Sequence, residues 1–203
     1  MIHDSADKAE QSSSGLRLAA RGWRHVSWLD SFYPEDLPED WQLGFYANEF
    51  SAVLVPAGEW QANRGFASKD WCDDVAASFR FYLEWPFDTA EGEDQQYYLQ
   101  QCQALGSNLG AIIMSRDLAL STQLPVYYLS ADDINQQIWT PEAQGQSGIA
   151  GLSLTNTDLR VQRSWLESFA DSNADLEAVL ILDAEPDIQT LLDFKTLIEL
   201  LGL

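Results

Sequence analysis

Gly22-Trp23-Arg24-His25-Val26-Ser27-Trp28-Leu29-Asp30-Ser31-Phe32-Tyr33-Pro34 sets its aromatic residues at fixed spacing, G-W-x(4)-W-x(3)-F-Y-P, directly after an apolar run that begins at Leu16. A spaced signature of this length is rarer by chance than any short catalytic pattern in the chain, so it speaks to fold before it speaks to chemistry. Downstream come a helical stretch from Pro38 to Asn48 and an apolar run from Phe50 to Val55. Strand, turn, helix and strand in that order begin an α/β pattern.

The pattern continues to the end of the chain. Strands are expected at Leu16–Trp23, Phe50–Val55, Phe79–Trp85, Ala111–Ser115, Val126–Ser130, Ile149–Thr155 and Leu176–Leu182. Several are unbroken apolar runs, such as Ala178-Val179-Leu180-Ile181-Leu182, as parallel strands covered on both faces require. Between them, Glu93–Leu105 places Tyr98, Cys102 and Leu105 on one helical face, and Leu159–Phe169 does the same with Val161, Trp165 and Phe169. A last helix from about Pro186 carries Leu191, Phe194, Ile198 and Leu201 as its buried stripe. Thr140-Pro141-Glu142 reads as a helix start, with a cap, a proline at the first position and a carboxylate beside the positive end. Seven strands fall short of a full eightfold barrel, so either an eighth is hidden or the barrel is abbreviated; the weakest link is Asn135–Ser147, too short for a full crossover helix and readable as an irregular connection. A doubly wound open sheet is the alternative.

Composition bounds the rest. The 203 residues fit one domain able to bury roughly 70% of its unfolded surface. Hydrophobic residues make up 46% and aromatic residues 12%, far from the composition of disordered chains. The polar opening that ends in Gln11-Ser12-Ser13-Ser14-Gly15 predicts a disordered tail over residues 1–15 and a single domain over residues 16–203. That opening lacks the basic start and apolar centre of a secretory signal, and no 18-residue apolar run follows, so a cytoplasmic protein is expected. Cys72 and Cys102 lie on separate expected helices without C-x-x-C spacing and read as two reduced, packed thiols. Eleven Lys and Arg against thirty-two Asp and Glu, a formal charge of −21, cannot provide the cationic face that a nucleic acid or an anionic membrane needs. The local exception is Arg17, Arg21 and Arg24, which form either a solvated cluster or an anion site.

The aromatic signature, its following helix and the Phe50–Val55 run resemble the opening of the YecE-like family, domain of unknown function 72. Further segments resemble it in order: Phe79-Arg80-Phe81-Tyr82-Leu83-Glu84-Trp85-Pro86, Leu109-Gly110-Ala111-Ile112-Ile113-Met114, and the last strand with its helix. The resemblance implies a TIM-barrel-like fold. It also implies polar residues at strand ends where this chain differs: Glu at Leu54, Asn at Pro56, Lys at Glu84, Gln at Ser115 and Glu at Tyr127. Strand carboxyl ends are where barrel enzymes keep their chemistry. Replacements gathered there, with the aromatic frame retained, imply lost or altered chemistry rather than a lost fold.

Local motifs neither supply a reaction nor imply a cofactor or metal centre. The chain has no P-loop, no G-x-G-x-x-G, no G-x-S-x-G and no H-E-x-x-H. His25, just past the first strand, is a base or anion donor on one reading and a hydrogen-bonded imidazole on the other. Asp183, Glu185 and Asp187 alternate after the last strand and either converge on a hard cation or cap a helix begun by Pro186, with Glu185 as its cap. Glu84 shares a polar row with Arg80 and Tyr82. With Asp183 it forms a possible acid–base pair, with His25 or Arg24 orienting an anionic substrate. Trp23, Trp28, Tyr33 and Trp85 either line a mouth that stacks a ligand or plug a short barrel. Two functions follow: a non-catalytic or altered-chemistry barrel that binds a small molecule or a protein, and an acid–base or metal-assisted hydrolase at the same face.

Overall fold

Strands without a polar face have to be covered on both sides, and a sheet that closes on itself does this with a side-chain core inside and helices outside. The computed structural model describes residues 15–62, 68–86, 93–114, 120–133, 136–141, 148–154, 158–171 and 176–203. Apart from Gly15, the expected tail lies outside these residues, as does Ser115. Strands β1 (Arg17–Arg21), β2 (Ala52–Val55), β3 (Arg80–Glu84), β4 (Leu109–Met114), β5 (Val126–Asp133), β6 (Gln136–Pro141), β7 (Gly148–Leu152) and β8 (Leu176–Ile181) form a closed barrel in chain order. The last ladder is parallel and pairs Leu18 of β1 with Val179 of β8. The helices are α1 (Gln42–Glu49), α2 (Ala57–Ala62), α3 (Ser68–Asp73), α4 (Glu93–Ala104), α5 (Leu159–Asp171) and α6 (Ile188–Leu201). No helix among the described residues is long and apolar enough to cross a membrane.

The eighth strand lies where a helix start was expected. Thr140 and Pro141 end β6, which runs antiparallel to both β5 and β7, and Glu142 lies outside the described residues. Chain length explains the direction: only Ile134 and Asn135 separate β5 from β6, and a parallel crossover needs a dozen residues or more. The barrel is thus complete in strand number and irregular in one hairpin.

Alternation along the strands sorts the core into two shells. The inner one joins the small residues Ala19, Ala52, Ala111 and Ala178 to Tyr82, Trp139 and Leu180, while Phe81 and Leu83 belong to the outer shell beneath the helices. Small and large residues interlock at the glycines. A Cβ on Gly110 would lie 2.8 Å from the Tyr82 ring, and one on Gly151 would collide with the Trp139 indole.

The outer helices follow their stripes with two corrections. Tyr98 and Cys102 of α4 and Leu191, Phe194 and Ile198 of α6 are buried as expected, and Cys102 and Cys72 are free thiols. On α5, however, Gln162 and Leu166 face inward while Val161 is exposed; the Phe169 side chain lies outside the described residues. The cap of α6 is Asp187, which accepts from the Thr190 N–H at 2.8 Å, rather than Glu185.

The aromatic signature ties the first two strands to this outer shell. Trp28 donates through Nε1 to the Pro186 carbonyl at 2.8 Å and stacks on Tyr46, with ring centroids 6.1 Å apart and planes 8° apart. The fully buried Tyr46 hydroxyl accepts from the Ala20 N–H at 3.0 Å and donates to the Ala52 carbonyl at 2.8 Å, spanning β1 and β2. Tyr46→Phe leaves both backbone groups unpaired, and such a group costs about 1–3 kcal/mol. Urea unfolding should show a loss of that size with an unchanged m-value; a change within error would mean that the hydroxyl bridge is dispensable.

Candidate functional site

Parallel strands present their last residues at one end of the barrel, and there β1 and β3 contribute opposite charges. Arg21 closes β1 and Glu84 closes β3. The Arg21 Nη2 lies 2.7 Å from Glu84 Oε2, which also accepts from the Ala57 N–H at 3.2 Å. The Glu84 carbonyl accepts from Trp60 Nε1 at 2.9 Å. Glu84 is therefore held from both ends, by β1 through its side chain and by α2 through side chain and backbone.

Gly22 turns the chain out of β1 with φ at +82°, the left-handed region that glycine enters without strain, and donates to the Leu54 carbonyl at 2.7 Å. Its missing side chain leaves room for two polar groups. The point where a Cβ would stand is 3.1 Å from Glu59 Oε1 and 3.7 Å from His25 Nε2. Burial raises the Glu59 pKa, opposed by the positive charges of Arg24 and Arg21 and reinforced by Glu84. Glu59 escaped sequence reasoning because Ala57-Gly58-Glu59-Trp60 matches no motif; its one signal is its place in the first turn after β2.

His25 is nearly enclosed, at 6% exposure, with its ring 4.3 Å from that of Trp28. Burial lowers its pKa, and the Glu185 carboxylate, 3.4 Å from Nδ1, opposes the shift. Arg24 is the accessible cation of the group. Its side chain is 42% exposed, lies 5.5 Å over the Trp23 ring and reaches Glu39 only at 3.6 Å.

Other residues expected at this site either pack beneath it or lie away from it. Arg80 starts β3, at the opposite end of the strand from Glu84, and donates to the Ala77 and Phe79 carbonyls. Trp23, Trp28, Tyr33 and Trp85 are buried in the outer shell, so they neither line a mouth nor plug the barrel interior; Tyr33 donates to the Trp23 carbonyl. Asp183 accepts from the Ser153 hydroxyl and from the Leu154 N–H at 2.7 Å, fastening the end of β7 to that of β8. Around the wall, β1 and β2 stand between β8 and β3, so Asp183 and Glu84 serve separate parts of the rim. Glu185 faces His25 while Asp187 caps α6, so the three alternating carboxylates diverge, and no group of three metal-ligating side chains occurs among the described residues.

A second polar cluster lies inside the barrel. The β7–β8 register passes from Leu176 to Ala178, so Glu177 is an extra residue in the ladder, and its carboxylate accepts from Tyr82 at 3.1 Å and from Tyr127 at 3.2 Å. Burial pushes both phenols well above their ordinary pKa, and the Glu177 charge adds to the shift, so both act as donors.

Comparison with known proteins agrees with the barrel and its aromatic opening. A model of the family "Protein of unknown function DUF72" matches residues 17–131, more than half of the chain. The chain belongs to the DUF72 family. The crystal structure of a DUF72 family protein from Enterococcus faecalis V583 superposes with a TM-score of 0.51 at 12% identity, over 93% of this chain and 98% of that one. That likeness extends the DUF72 fold past residue 131 through β6, β7 and β8. No curated protein matches the chain.

In this DUF72 barrel the Glu59 shift has a definite sign. A carboxyl whose folded pKa is raised contributes stability below its ordinary value of 4.5 and loses that contribution as pH rises through the folded value. Glu59→Gln, uncharged throughout, should match the wild-type melting temperature near pH 4 and exceed it increasingly towards pH 7. A difference independent of pH would show that burial of the charge is not what the substitution relieves.

Proposed function

We propose that this DUF72 protein is a binding barrel, which takes a small anionic molecule at the carboxyl-end rim through Arg24, with Arg21 behind it, without turning it over. The observation that carries the reading is the state of Glu84. One of its oxygens accepts from both a guanidinium and a backbone amide. A general base needs an open lone pair aimed at the substrate, and a carboxylate anchored in this way serves better as a fixed counter-charge that orients Arg21. Arg24 is half-open and only loosely paired, so its fork is available to a carboxylate or a phosphate. The acidic balance of the chain favours a small ligand over nucleic acid or an anionic membrane.

A second reading, an acid–base hydrolase, is favoured by Glu59. Burial raises its pKa, against the opposing charges of Arg24 and Arg21, which is the direction a general acid requires. A thermal-shift screen of metabolites and divalent ions separates the two. A ligand at a hundred times its dissociation constant adds about 2.7 kcal/mol, and each kcal/mol moves the melting point about 2–4 °C in a domain of this size. The binding reading expects an anionic hit that Arg24→Ala loses, Glu84→Gln keeps and no prolonged incubation converts. Product formation abolished by Glu59→Gln or Glu84→Gln would replace it with the hydrolase.

A further inference from the structure

Away from the rim, two exposed apolar features have opposite electrostatic character. The first is a knob. Trp41 is 68% exposed at the end of the short helical turn Glu39–Trp41, in a segment that also carries Glu35, Asp36 and Asp40. The second is a groove of about 460 Å³ between α5 and α6, lined by Leu159, Leu197 and Leu200 with Arg160 and Arg163 on the α5 side and Asp193 on the α6 side. Leu159 is 52% exposed and Leu200 79%. The volume falls within the range of about 300–1,000 Å³ that accepts drug-sized molecules, so an indole fits with room to spare.

Charge identifies the occupant. In a chain with eleven basic and thirty-two acidic residues, two arginines beside an apolar groove depart from the prevailing sign. The Trp41 turn, acidic and aromatic, is the matching surface. Arg163 already meets Glu167 on its own helix, an exposed pair worth little, and Glu39 meets Arg24 only at 3.6 Å, so both can be exchanged for contacts across an interface. Tryptophan and arginine are also the side chains that most often anchor such contacts. Trp41 does not line the groove of its own chain, so a contact between the two would join separate copies.

We infer that the protein self-associates, the Trp41 turn of one copy seated in the α5–α6 groove of another, with Arg160 and Arg163 facing Glu39 and Asp40. Knob and groove are different surfaces, so the contact is heterologous: a capped pair carries one free knob and one free groove. The net charge of −21 opposes approach at long range, and physiological salt, with a screening length of about 8 Å, removes most of that repulsion.

Sedimentation or light scattering over a concentration series at that ionic strength is the test. The wild-type mass should rise with concentration above the 22.8 kDa of one chain. Trp41→Ala and the double variant Arg160→Glu, Arg163→Glu should each remain at one chain. Mixed in equal amounts they should recover a dimer, because the first keeps its groove and the second its knob. Circular dichroism confirms that each is folded, and Leu200→Glu, at a highly exposed position, is the second groove variant. A wild type that stays at one chain, an association that survives either class of variant, or a mixture of folded variants that fails to pair would overturn the inference. So would an acidic peptide that fills the groove of a wild type that is itself monomeric, since it would assign the groove to a different partner.

Discussion

The ladder between β8 and β1 is the constraint on which the rest of the molecule depends. Once Leu18 pairs with Val179, the sheet has no edge left to protect, and every strand exchanges hydrogen bonds with two neighbours. Closure fixes how much interior there is to fill. Four alanines on the inner face leave space that Tyr82 and Trp139 occupy, and Gly110 and Gly151 sit where those two rings approach the wall. An inner shell of aromatic rings against alanine and glycine is rigid, because each large ring has one place to go.

Closure also explains why polar groups lie where they do. The extra residue in β8 adds Glu177 to the interior, and Tyr82 and Tyr127 satisfy it from β3 and β5. Glu177 is half-buried, and the two phenols take the place of part of the water its carboxylate gives up. Tyr127 is also a position where resemblance to the family implied a glutamate. In this chain the Tyr127 hydroxyl donates to a carboxylate that comes from another strand, Glu177 of β8.

The sequence was clearest where one period dominated. Apolar-rich runs, several of them unbroken, marked seven strands, and the stripes of α4 and α6 matched their buried faces because a helix that packs on one side repeats its apolar residues every three or four positions. It was least clear where two signals competed. Thr140-Pro141-Glu142 has the chemistry of a helix start, yet Pro141 can end a strand whose N–H is not needed, and the hairpin becomes evident only because β5 runs past the expected Ser130 to Asp133. On α5 the aromatic and β-branched residues suggested a stripe one position out of phase, and Gln162 took the inward place. At the rim, Glu84, His25 and Arg24 were identifiable from their place at strand ends. Glu59 was not, because its significance arises only from the space left by Gly22.

The rim is best understood as an electrostatic balance rather than as a set of independent groups. Arg21 and Glu84 neutralise each other at 2.7 Å, leaving Arg24 and Glu59 to decide the local sign. Burial pushes Glu59 towards its neutral form, and the more neutral Glu59 is, the more the region near Arg24 remains positive. The arrangement needs Gly22, because a side chain there would press on Glu59 Oε1 at 3.1 Å from a backbone already in the left-handed region.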